Sequence, residues 1–173
     1  RKMSKLKFYS IYLGLSLLFV ILWHILPVTS LILFLLISAF HFGESQFADV
    51  FFKKSLRFVF YFFWGLCLLS TLIYYNVNEL FDITSYFDDT IVLDKIYNKE
   101  KISVFYYITN IVTIISIFTL TYYKKINNDR LFSELFLLFL IHTTFYLFPF
   151  IIGFTLYFVA LHSIKVMNDE FKF

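Results

Sequence analysis

Six long apolar runs constrain this chain more than any other feature. A helix rising about 1.5 Å per residue needs about 20 apolar residues to cross a hydrocarbon layer about 30 Å thick. Runs of roughly that length lie at Phe8 to Leu26, Val28 to Phe42, Phe58 to Tyr75, Ile102 to Tyr123, Leu131 to Phe148, and Pro149 to Val166, the second being the shortest. None alternates polar with apolar residues, and backbone groups in lipid must be satisfied within their own segment, so helices are predicted and barrel strands are not. With 60% of residues apolar, 16% charged and a mean hydropathy of +0.78, a water-soluble fold could not hide the apolar surface. The predicted fold class is therefore all-α: a polytopic transmembrane bundle with six helices, formed by residues 1–173 as one domain.

Lys and Arg predict its orientation, because cytoplasmic connections are enriched in them. The N-terminal stretch, the Lys53–Arg57 and Lys124–Arg130 connections and the tail together carry twelve; the alternate connections carry three, all in the long loop 76–101. Both ends are thus expected in the cytoplasm, beneath a cell inner membrane. The loop with Asp82, Asp88, Asp89 and Asp94 is expected outside, as a solvated connection. A net charge of +3 spread in this way orients a membrane protein and suits no nucleic acid. A single cysteine, Cys67, leaves neither a disulfide framework nor a thiolate metal cluster. The sequence opens at Arg1 without a signal peptide, so it reads as the C-terminal part of a longer chain.

Ionisable residues at membrane depth normally face a bundle interior, which directs attention to the four histidines. His41 lies thirteen residues after Val28 and His162 thirteen after Pro149; both helices run inward, so both rings lie about 20 Å down. Equal depth permits the two imidazoles to meet. His142, eleven residues beyond Leu131, falls within roughly 6 Å of that level and is a third candidate. His24, beside Pro27, lies over about 10 Å too high and reads as interfacial. Ser38, Glu44 and Ser45 share the helical face of His41 and could orient its ring, or the segment is a helix end at the inner interface with Glu44 in water, while Gly43 would admit another backbone or a ligand. Glu134, near the start of its helix, is expected to reach the interface. Neutral imidazoles suit iron, copper, zinc and nickel alike. No glycine-rich phosphate loop, Gly-x-Ser-x-Gly elbow or Cys-x-x-Cys pair offers a competing chemistry.

The stretch Ser38-Ala39-Phe40-His41-Phe42-Gly43-Glu44-Ser45 resembles the S-x-x-H-F-G helix of the Brp/Blh family of bacterial and archaeal β-carotene 15,15'-dioxygenases. The segment Tyr157-Phe158-Val159-Ala160-Leu161-His162-Ser163-Ile164-Lys165 resembles the family's closing Y-F-x-x-x-H-S-x-(R/K) helix. The resemblance implies a membrane oxygenase that holds non-haem Fe(II) through His41 and His162. It would split the central double bond of β-carotene with O2 into two retinal molecules, working among membrane lipid. The chain differs from the family pattern at Val166 and Gln46, where a histidine and an acidic residue are usual. A further ligand, on one more helix, is expected upstream of Arg1. These differences motivate an alternative: a non-catalytic carotenoid-binding or assembly protein that has lost metal affinity.

Overall fold

The computed structural model describes residues 5–50, 54–84, 98–163 and 167. Among them there is no strand, and the chain is an all-helical bundle. The elements are α1 (Lys5–Ile25), α2 (Pro27–Phe47), α3 (Lys54–Tyr75), α4 (Val77–Thr84), α5 (Lys99–Tyr122), α6 (Asn128–Leu147) and α7 (Phe150–Leu156), which continues as a π-helical segment, Tyr157–Ser163. Four helices, α2, α3, α5 and α6, are long and apolar enough to cross a membrane; α1 and α7 contribute the shorter apolar stretches Leu13–Ile25 and Phe150–Ser163. The protein is a membrane protein. Exposed apolar ridges, such as Phe132, Phe136 and Phe139 on α6, face the surroundings as lipid contact requires.

Local chemistry sets the helix ends. Pro27 occupies the first turn of α2, where its missing N–H is no loss. Asn98 and Asn127 cap α5 and α6, their side-chain oxygens accepting from Glu100 N and Lys101 N and from Arg130 N. The end of α5 is a Schellman closure: Lys125 N donates to Leu120 O, Lys124 N donates to Thr121 O, and Lys124 takes a left-handed φ of 54°.

Two differences from the sequence reading matter for the site. Helix α2 continues to Phe47, five residues beyond its expected end at Phe42, so His41 lies within a helix. The stretch 76–101, read as a connecting loop, contains α4 and the first turn of α5. Of the acidic residues assigned to that loop, Asp82 falls on α4, while Asp88, Asp89 and Asp94 lie outside the described residues, as do Val166 and Lys165.

Helix α3 is the hub. On one side, glycines let it touch α2: a Cβ at Gly43 would lie 1.9 Å from Tyr61 O, and one at Gly65 would lie 1.7 Å from Ala39 O. Side chains there would keep the backbones apart. On the other side a buried polar ladder joins α3 to α5, with Ser70 Oγ 2.7 Å from Thr109 Oγ1, Cys67 Sγ donating to Asn110 Oδ1 at 3.2 Å, and Thr113 Oγ1 donating to Phe63 O at 3.3 Å. Hydrogen bonds between helices offset the absence of a hydrophobic driving force in lipid. Trp64, Leu68, Leu72, Ile117, Ile141 and Phe145 fill the core between these helices.

Candidate functional site

Helix α2 and the π-helical continuation of α7 bring His41 and His162 together. Their ring centroids are 5.4 Å apart at an interplanar angle of 71°. His162 is buried, whereas His41 lies at the bundle surface. Phe42 crosses His162 edge-on at 5.1 Å and Tyr157 at 5.5 Å, and Phe158 lies 5.5 Å from His162. Aromatic rings thus surround the buried imidazole.

The π-helical segment explains how His162 gets there. A π-helix bonds each residue to the fifth along and places i and i+5 on one side, and such segments are common at functional sites. Here that pair is Tyr157 and His162: both are buried, with their rings 6.3 Å apart and inclined by 29°. In an α-helix the same spacing would turn the two side chains well apart. The sequence reading put His162 level with His41, which it meets, without foreseeing the wider turn.

Three contacts fix α2 beside this pair. Gly43 meets the Tyr61 backbone, as its lack of a side chain suggested. Tyr61 Oη donates to Phe47 O at 2.8 Å. Beyond them, Gln46 Nε2 donates to both carboxylate oxygens of Glu134, at 2.9 and 2.8 Å, and Arg130 Nε pairs with Glu134 at 2.6 Å while Arg130 Nη2 donates to Gln46 O at 2.8 Å. Glu134 is only 2% exposed. Its expected position at the interface is therefore corrected: Arg130 lies one turn earlier on α6 and Gln46 faces it from α2, so its charge is satisfied inside the bundle.

The other histidines lie elsewhere. His142 packs against Tyr75 at 6.3 Å, at the end of α3, and against Tyr106 at 6.0 Å, in the first half of α5, and no ring contact joins it to His41 or His162 among the described residues. Its Nδ1 lies 2.8 Å from Leu138 O, which can only accept, so Nδ1 carries the proton. His24 is exposed at the end of α1. Glu44 is exposed, and Ser38 lies on a cavity wall.

That cavity, of about 250 Å³, is lined by neither histidine and approaches the pair through Phe42. Leu31, Phe34, Leu35, Ser38 and Phe42 line it as one stripe of α2, with helical spacing. Phe42, which touches His162, stands at one end; Trp23 of α1 and Leu80 and Ile83 of α4 stand at the end where α1 meets α2. Although Ser38 lies among the lining residues, the surface exposed to the cavity is apolar. The sequence reading missed α4 as a wall, although Val77 and Leu80, one turn apart with Asn78 and Glu79 between them, carry an amphipathic signal.

The donor set was tested against a metal. Two imidazoles that each hold one ion through a nitrogen at about 2.1 Å have centroids no more than about 6.5 Å apart, and 5.4 Å falls inside that limit. The pair fits as two nitrogen ligands; among the described residues no cluster of three or more His, Cys, Asp or Glu side chains surrounds it.

Comparison with known proteins gave one family: its model, described as beta-carotene 15,15'-dioxygenase, matches residues 1–173. No curated protein and no solved structure matches.

Proposed function

The chain belongs to the beta-carotene 15,15'-dioxygenase family, and from that membership we propose that it cleaves β-carotene at the central double bond with O2, releasing two retinal molecules. The observation that carries the proposal is the pairing of His41 with His162, 121 positions apart in the chain, separated by Phe42 from an apolar cavity. These two imidazoles are the proposed ligands of Fe(II), which when bound supplies the activation of O2. The chain's own residues do the rest. His162 is held by the π-helical turn and by the rings of Phe42 and Phe158, which limit its rotation and keep water from it. The apolar stripe of α2 receives a hydrocarbon ligand from the lipid and aligns it along the helix, toward the pair. No nucleophile or general base is assigned, because the cleavage consumes only the double bond and O2. The Lys and Arg distribution supports an inner-membrane location with both ends of the chain in the cytoplasm.

Expression in β-carotene-producing cells, with retinal and bound iron both measured, tests the proposal. Wild type should yield retinal and retain iron. His41→Ala and His162→Ala should lose both, while His24→Ala and His142→Ala should keep them. Iron retained equally by all four variants would overturn the ligand assignment. A wild-type protein that binds carotenoid without iron or retinal would instead be a binding protein.

A further inference from the structure

We infer that Trp23, Leu80 and Ile83 form an end stop for one ring of the carotenoid, fixing which double bond lies at the histidine pair and admitting only hydrocarbon rings. The inference rests on the proposed cleavage activity and adds what selects the bond and the substrate.

Size comes first. Ligand pockets usually range upward from about 300 Å³ for a drug-sized molecule, and this cavity, at about 250 Å³, holds one end of a long carotenoid and not the whole. Length comes second. Leu31 to His41 is ten residues of α2, about 15 Å at 1.5 Å per residue. An extended chain advances roughly 1.2 Å per bond. The nine bonds from the central double bond to the ring of β-carotene therefore cover about 11 Å, and the ring takes up the remainder. With that ring against Trp23, Leu80 and Ile83, the central bond lies level with His41 and His162.

The position of the wall is fixed by the chain itself. Asn76, between α3 and α4, donates from Nδ2 to Phe145 O at 3.1 Å and to Leu72 O at 3.1 Å. Glu79 Oε2 accepts from Phe150 N at 2.8 Å, tying α4 to the start of α7. Helix α4 is thus pinned at two points, to α6 and to the start of α7, which lines the cavity, and a stop requires such anchoring. The wall also has a chemistry. The surface it exposes to the cavity is apolar, so a ring hydroxyl placed there would lose hydrogen bonds to water.

The cleavage itself balances without a further reagent: the C=C and O=O bonds break and two C=O bonds form. Moving the ring outward by two bonds, about 2.5 Å, brings the next double bond to the histidines. The products then become one aldehyde two carbons longer than retinal and one carbonyl fragment two carbons shorter.

Wild type, Trp23→Ala, Trp23→Phe and Ile83→Ala are compared in membranes from cells making β-carotene and, separately, a carotenoid hydroxylated on both rings. Two quantities are read: carotenoid retained by the purified, iron-stripped protein, and the chain lengths of the products. Wild type should retain β-carotene at least tenfold better than the hydroxylated form and give retinal. Trp23→Ala and Ile83→Ala should narrow that preference at least threefold and yield the unequal pair of products, with Trp23→Phe between them and wild type. Variants that retain β-carotene but keep the wild-type preference and give only retinal would overturn the end stop while leaving the cleavage intact. A wild type that gives no retinal would overturn both. Ile83→Ala, on a different helix, decides the matter should Trp23→Ala fail to fold.

Discussion

Replacing Gly43 with alanine tests the contact on which the position of His41 depends. The new Cβ would lie 1.9 Å from Tyr61 O, 2.5 Å from Tyr61 C and 2.7 Å from its Cα. A carbon and a carbonyl oxygen normally approach to about 3.3–3.6 Å, so α2 and α3 would have to part by roughly 1.5 Å. The opposing atoms are backbone, so no rotamer change relieves the clash. Overpacking of this kind costs about 1–3 kcal/mol, here at the upper end; the better helix propensity of alanine returns about 1 kcal/mol, leaving a net loss of about 2 kcal/mol. In detergent this should lower the unfolding midpoint by about 4–8 °C. Iron retention should suffer more than stability, because a site tolerates displacements of only about 0.5 Å and His41 lies two residues away. Gly65→Ala, whose Cβ would lie 1.7 Å from Ala39 O, should destabilise similarly. Gly14→Ala, with nothing within 4 Å of its new methyl, is the control and should be neutral or slightly stabilising. A Gly43→Ala protein that melts with the Gly14→Ala control and still holds iron would refute the close packing of α2 on α3.

Further expectations concern the polar contacts. Gln46→Glu sets a second carboxylate against Glu134 and should destabilise by about 2 kcal/mol, with most of the loss recovered in the Gln46→Glu/Glu134→Gln double variant; a double-mutant cycle in thermal denaturation checks this. Asn110→Leu removes the partner of Cys67 and Thr71 and should cost about 1–2 kcal/mol, read as a lower melting temperature with an unchanged carotenoid preference. Lys124→Gly should stabilise by about 1 kcal/mol, since glycine takes the left-handed conformation without penalty; equal melting temperatures would argue against the Schellman closure.

The parts of this fold legible in the sequence are those that depend on one helix at a time. Apolar length located the four long spans, and counting residues from Val28 and Pro149 put His41 and His162 at one depth, because helical rise is a local property. What escaped depends on which faces meet. His142 matched the same level within a turn, yet it packs among tyrosines of α3 and α5, since depth says nothing about azimuth around the bundle. Glu134 looked interfacial because its partners, Arg130 and Gln46, come from its own helix and from one 88 positions away. The π-helical turn at Tyr157–Ser163 widens a helix whose side chains give no periodic hint of it, and without that turn Tyr157 and His162 could not both face inward. Helix α4 was hidden for a different reason: its eight residues are too few to span a membrane, and hydropathy weighed over a span's length passes over them. The consequence reaches function, because the proposed ligands His41 and His162 lie on helices the sequence predicts, whereas two of the three residues proposed to choose the substrate lie on α4.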